Sequence, residues 1–421
     1  MTLPHRQSIT TSLKNRNFRI YLTGQAVSHT GSWVQLVAEI WVILELTDSG
    51  LALGIHSVLR FAPILVFGVF TGIIGDRVDR RSLLLVTQFL HTAAVGTMAV
   101  FAFLTAPTLL MVYTIALVQG LINAVDNPVR RSFIRDLADE GELSNAVSLH
   151  NSVGTFTRGI GPVIAGFLIV SVGVKWCFAI NAVSYVAVLI TLVLIDQAKL
   201  RPSVMAPRGR GQTRAGLRYA RSNRPIRRTL LFATMMAVFA WQWNVILPIY
   251  VTDEFGGDAR LFGFIVLAFS TGSLIGAMYS AGLPRIGGQH LRWASAGLAA
   301  ALAFAAMAPV LPVAFAAMVL LGASGSAFSI GAQTRLQIAA DDEMTSRVMA
   351  LYSVTFTGAK PIGGLIAGLV IELSSSRAAL GLGAVAMATA TAAYALELRN
   401  RPKPKPASTQ RDDQAILPDA M

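Results

Sequence analysis

Charge is scarce in this chain. Only 14% of its 421 residues are Asp, Glu, Lys or Arg, where a soluble domain carries roughly a quarter. A water-soluble enzyme of this length needs that charge on its exterior, so the shortage excludes one. Cysteine is almost absent. The single residue, Cys177, excludes an internal disulfide framework, a CxxC metal or redox motif and a Cys-ligated iron–sulfur cluster. No GxxxxGK[ST] loop occurs, so the chain brings no nucleotide-driven pump of its own. Residues 1–17 are polar and lack the apolar run of a secretory signal, and are expected to be a retained cytoplasmic tail. Acidic residues are the minority sign, 22 against 35 basic, for a net charge of +13. The bases fall in short gaps between apolar runs rather than on one polar surface. That placement reads as membrane topology and argues against nucleic acid as a partner.

What the chain has in abundance is apolar sequence, 54% of all residues. From Phe18 onward it alternates apolar stretches of about 20 residues, the length with which a helix crosses roughly 30 Å of hydrocarbon, with short polar breaks. Twelve such spans are predicted, over residues 18–46, 52–75, 83–104, 108–128, 146–171, 175–195, 228–252, 260–283, 291–308, 311–335, 346–371 and 377–397. The ninth and twelfth are rich in alanine and the least apolar. Alternate loops hold the cations: Arg77, Arg80 and Arg81; Arg130, Arg131 and Arg135; the stretch 197–227; Arg285 and Arg292; and the tail from Arg399. Those loops and both termini are therefore expected in the cytoplasm, which makes the protein a multi-pass component of the inner membrane.

The longest break, residues 197–227, contains no acidic residue and divides the chain into bundles over 18–196 and 228–398, with tails over 1–17 and 399–421. Within it, residues 212–223 can form a helix whose Arg214, Arg218 and Arg221 share one face. Such a helix attracts anionic lipid head groups. Duplication is the usual basis of transporter architecture, and the two halves align, at one offset over the fourth and fifth spans and at a second that sets Gly68 on Gly276 and Arg77 on Arg285. Gly120 falls on Gly322, Arg158 on Lys360, Gly161 on Gly363, Ala165 on Ala367 and Gly166 on Gly368. The fold class predicted is an all-α integral membrane protein with twelve transmembrane helices in two pseudo-symmetric six-helix bundles. Small residues at four-residue spacing, Gly68/Gly72, Gly272/Gly276 and Gly364/Gly368, are expected to let helices approach closely.

The most specific motif lies between the second and third spans, Gly72-Ile-Ile-Gly-Asp76-Arg77-Val-Asp79-Arg80-Arg81. It resembles the GxxxDRxGRR loop of the major facilitator superfamily. That resemblance implies a conformational latch, in which Asp76 engages a neighbouring helix N-terminus and Arg77, Arg80 and Arg81 form cytoplasmic salt bridges that hold the outward-facing state. Asp79 replaces the usual glycine, and DRxDRR is similar to the branch containing enterobactin-type siderophore exporters and macrolide-efflux proteins. Asn17-Phe18-Arg19, Leu44-Glu45-Leu46-Thr47, Leu59-Arg60-Phe61-Ala62-Pro63 and Gly216-Leu217-Arg218-Tyr219 resemble the same branch. The family's RxxQG motif appears as Ala116-Leu-Val-Gln119-Gly120, without its Arg. Gly161-Pro162-Val-Ile-Ala165-Gly166 resembles the GPxxGG core of antiporters, which favours export.

Ionisable groups inside the bilayer need a partner, water or a function. Glu39 and Arg60 each lie about 12 Å below the outer ends of their spans, so they can meet. Such a pair either fixes helix register or couples transport to protonation of Glu39. Arg158 and Lys360 lie near the midplane, either facing a cavity that suits an anion or pairing with Glu39 or Asp126. Asp126 can instead orient Arg130 and Arg131. Substrate contacts are expected from Trp33, Gln35, Tyr113, Gln119, Asn123, Trp241 and Asn244, with Arg158 and Lys360. The expected function is a secondary exporter of an amphipathic organic compound such as a siderophore, macrolide or other drug. It would work as a monomer by alternating access and proton antiport, with no cofactor and no metal. An importer or facilitator of a small organic anion is the alternative within transport. A polytopic lipid-modifying enzyme is the alternative of another class, but it needs an interfacial catalytic cluster or an extramembrane domain that the chain lacks.

Overall fold

The computed structural model describes residues 11–75, 78–139, 141–200, 212–283 and 287–399. Asp76, Arg77, Arg285, residues 1–10 and 400–421 of the tails, and the part of the linker over 201–211 lie outside them. Among the described residues the chain is helical and contains no strand. The first half comprises α1 (Arg16–Thr47), α2 (Gly50–Gly75), α3 (Arg80–Leu104), α4 (Leu109–Leu137), α5 (Leu143–Val172) and α6 (Val174–Leu194). The linker contributes α7 (Gln212–Ser222). In the second half the seventh span is broken into α8 (Arg224–Met235), a π-helical turn at Met236–Ala240 and α9 (Trp243–Phe255). Then follow α10 (Ala259–Ala281), α11 (Gly288–Ala306) and α12 (Leu311–Ala339). The eleventh span divides into α13 (Asp342–Gly358) and α14 (Lys360–Leu373), and α15 (Ser376–Arg399) closes the bundle.

These are twelve membrane-crossing segments, ten of which are long and apolar enough to span by length and composition alone. The other two are α1 and α11. Polar Gln25, Ser28, Gln35 and Glu39 dilute the hydropathy of α1, yet all four are buried, so its polarity faces protein rather than lipid. In α11 the polar first turns, with Gln289, His290 and Arg292, do the diluting. Elsewhere large apolar side chains such as Phe89, Leu110, Val183, Leu231 and Leu320 stand exposed, as a lipid-facing belt requires.

The aligned glycines occupy matching positions in the two halves. Gly120 of α4 abuts the Leu59 and Arg60 carbonyls of α2, and Gly322 of α12 abuts the Phe269 carbonyl of α10. Gly161 of α5 packs on Trp33 of α1, and Gly363 of α14 packs on Gln242, where the seventh span is broken. Gly166 meets Ala259 at the start of α10, and Gly368 meets Gly50 at the start of α2. The last two contacts join the halves, so α5·α10 and α2·α14 are the same interface used twice. The backbone approach is close enough to forbid a side chain: a β-carbon on Gly272 would lie 2.0 Å from the Val319 carbonyl, and one on Gly276 2.1 Å from that of Ala323.

At the end remote from the linker the halves are sealed. Ser49 donates to Glu372 at 2.7 Å, Trp41 packs against Phe262, and Gly54 and Gly263 admit the backbones of α14 and α5. Toward the linker end Asn151, Ser152, Thr155 and Phe156 of α5 are exposed, as are Leu274, Ile275 and Met278 of α10. There α7 packs on α13, held by Tyr219, whose hydroxyl donates to Asp341 at 2.9 Å. One expectation needs correction. Hydropathy ends the fourth span at residue 128 and puts Arg130 in the following loop, but α4 runs on to Leu137 and buries Arg130, because Asp126 one turn earlier neutralises it.

Candidate functional site

The sequence motif of the second turn is described only in part. Gly72 lies in the last turns of α2, and Asp76 and Arg77 are outside the described residues. Asp79, the departure from the family pattern, caps α3 by accepting from the Ser82 N–H at 2.7 Å. Partial burial pushes its carboxyl pKa up, but the hydrogen bonds from Ser82 and the charge of Arg81 outweigh that and hold it below its ordinary value. Arg80 pairs with Asp136 of α4 at 2.7 Å, and Arg81 donates to the last carbonyls of α6, Leu192 and Val193. Both cations thus tie α3 to its own half.

Deeper in that half, four polar side chains close a ring. Gln119 Nε2 donates to Gln35 Oε1 at 3.2 Å, and Gln35 Nε2 donates to Glu39 Oε1. Arg60 donates both to Glu39 Oε2 at 2.8 Å and to Gln119 Oε1 at 3.1 Å. His56 stands 2.9 Å from the same Glu39 oxygen, and Asn181 of α6 donates to Gln35. Glu39 and Gln35 are wholly enclosed, and every carboxylate and amide oxygen of the ring has a donor. Such satisfaction is what makes a buried ion pair tolerable. Gln35 and Gln119, expected at the substrate, therefore have these polar atoms already engaged. His56 and Asn181 were missed from sequence. His56 lies one turn before Arg60 and could have been found by spacing, whereas Asn181 is a lone amide in an apolar span.

A second buried cluster joins α1, α3 and α4. Asp126 accepts from Arg130 Nε at 2.8 Å, from Thr87 at 2.7 Å and from Gln88 at 2.7 Å, and Arg130 also donates to Gln25. Beside it His91 stacks on Tyr185, and Tyr21, His150 and His29 form a chain of ring contacts. Arg131 takes no part in the Asp126 cluster.

Between the halves runs a tier of aromatic rings. Trp33 of α1 stacks on Trp243 of α9 at 5.5 Å between centroids, and Trp243 stacks on Phe269 of α10. Trp241 leans on Phe269 and on Phe356 of α13. The π turn is what delivers these indoles: it offsets the helix register just before them, and Gln242 Nε2 reaches back to the Ala237 carbonyl. Arg158 lies over Trp33, 6.0 Å from its centroid, and Lys360 over Phe61 of α2 at 5.0 Å. The Asn244 side-chain oxygen and the Ser270 hydroxyl are buried without a partner. Tyr113 donates to the Ala52 carbonyl at 3.0 Å, away from the tier, and Asn123 is half-buried.

Similarity to known proteins agrees with this arrangement. Residues 7–416 match the family described as transmembrane secretion effector. The Staphyloferrin A transporter of Staphylococcus aureus is 26% identical over 61% of this chain and 64% of its own length. Macrolide efflux protein A of Streptococcus pyogenes is 25% identical over the same two shares. The chain thus spans somewhat less than two thirds of the length of these relatives. In fold it is similar to a bacterial homologue of the iron transporter ferroportin in an inward-facing state, with a TM-score of 0.70, 17% identity, and coverage of 92% of this chain and 99% of that one. With the two-half helical bundle and a family match over nearly its full length, the chain belongs to the transmembrane secretion effector family of the major facilitator superfamily and is a multi-pass membrane protein.

Proposed function

We propose that this transporter exports a bulky amphipathic organic compound from the cytoplasm across the inner membrane by alternating access, in exchange for protons, with both termini inside. The observation that carries the reading is the aromatic tier, Trp33–Trp243–Phe269, which is shared by the two halves at the level where they separate. Stacked indoles offer a large apolar surface to a bulky ligand, and a small anion would leave most of it unused. The sealed remote end and the exposed linker-side faces of α5 and α10 support an orientation that receives substrate from the linker side. Efflux in the name of one relative supports the direction.

Glu39 is the proposed proton carrier. Protonation would remove the negative partner of Arg60 and open the hydrogen-bonded ring, which links charge state to helix packing. Gly72, Asp76, Arg77, Arg80 and Arg81 are proposed as the latch that biases one orientation. Everted membrane vesicles with an imposed proton gradient test the whole reading. They should accumulate a siderophore, a macrolide or a cationic dye, and accumulation of none of these would overturn it.

A further inference from the structure

Two cations in the middle of the molecule have no counter-charge among the described residues. Glu39 is taken by Arg60 and His56, and Asp126 by Arg130. Among the described residues Arg158 and Lys360 have neither an ion pair nor a hydrogen bond; each lies over an aromatic face instead. They belong to opposite halves, α5 and α14, at matching positions of the repeat. Lys360 also begins α14, whose N-terminal dipole adds to the positive potential. Arg158 is exposed and Lys360 half-buried, so water answers their charge in this state, and closing the halves over them is costly unless something brought to the site replaces that water.

We propose that Arg158 and Lys360 together bind the anionic group of the transported compound, a carboxylate or phenolate carried on an aromatic body, and that this anion is the counter-charge that lets the halves close around it. The inference rests on the alternating-access reading above and names its substrate class. The aromatic body lies along Trp33, Trp243 and Phe269 while the anion oxygens face one cation from each half. Without the anion, closure at the linker end drives two like charges together in a medium of low dielectric. With it, repulsion becomes attraction, and the closed state gains the differential affinity that a population shift requires.

The test uses the full chain in nanodiscs of zwitterionic lipid, spin-labelled at Ser152→Cys on α5 and Ile275→Cys on α10, both exposed near the linker end. Addition of 1-naphthoate should shorten the distance between labels, and its uncharged methyl ester should not. Arg158→Gln or Lys360→Gln should raise the concentration needed at least tenfold. Arg158→Lys and Lys360→Arg should retain the response and show that the fold survives substitution, and the double Gln variant should close without ligand. If anionic phospholipid in the nanodisc closes the wild type by itself, the site holds and its anion is a lipid head group. Equal action of acid and ester, or an unchanged response in both Gln variants, overturns the proposal. Because the readout is binding and closure, it stands or falls separately from the direction and coupling of transport.

Discussion

Glu39 shows how much one buried carboxylate can organise. Arg60, His56 and Gln35 all donate to it, and Gln119 completes the circuit. Replacing it by Gln leaves the Arg60 guanidinium buried without a negative partner, a loss on the order of 3–5 kcal/mol for a broken buried pair. Thermal unfolding in detergent should show a large fall for Glu39→Gln and partial recovery for Glu39→Gln with Arg60→Gln. Gradient-driven uptake should be lost in both, and uptake retained by Glu39→Gln would remove Glu39 from the coupling step. The equal depth of Glu39 and Arg60 could be counted along their spans. That Asp126 takes Arg130 rather than Arg131 follows from i,i+4 spacing only once α4 is known to run on to Leu137, and the polar sequence after residue 128 hid that continuation.

The helices are matched to one another by missing side chains. Gly272 and Gly322 each receive a carbonyl of the facing helix where a β-carbon would lie 2.0 Å from it, so that neither Gly272→Ala nor Gly322→Ala can be fitted without α10 and α12 moving apart. Overpacking of this kind costs about 1–3 kcal/mol, and each variant should unfold at a lower temperature, whereas Gly96→Ala, with open space around it, should not. Asp79 acts at an element's end. Its loss in Asp79→Ala should cost about 1 kcal/mol, as for other N-caps. Because its folded pKa is depressed, the stabilisation is complete above the ordinary carboxylate value of about 4 and disappears as pH falls through the folded value. Wild type and variant should therefore differ in melting temperature at neutral pH and converge in acid. The boundaries of α2, α6 and α10 were legible from hydropathy to within a few residues. The π turn before Trp241 was not, since no Gly or Pro marks it in the sequence; it lies where the seventh span packs against α14 and α15.

At the scale of the molecule, the two interfaces α2·α14 and α5·α10 hold the halves together from the remote end to about the middle. A disulfide formed between Ser49→Cys and Glu372→Cys, replacing the hydrogen bond between them, should fix that end closed. Transport should cease on oxidation and return on reduction, while substrate binding from the linker side persists. Free transport by the cross-linked protein would show that this end does not open during turnover. Among the described residues Arg80 and Arg81, by contrast, bind within their own half, to Asp136 and to the end of α6.

The sequence by itself determined that the chain is a membrane bundle, how many crossings it makes and where the repeat lies, because hydrocarbon admits only helices long enough to span it and writes that length into every apolar run. It also determined which residues carry the scarce charge. Which charges neutralise one another, and which are left facing the centre, only the tertiary structure decided. Ion pairing depends on rotation and depth of helices brought together from distant parts of the chain, and here that packing joins Glu39 of α1 to Arg60 of α2 and brings Thr87, Gln88 and Gln25 to the Asp126–Arg130 pair of α4, while leaving Arg158 and Lys360 without a carboxylate among the described residues.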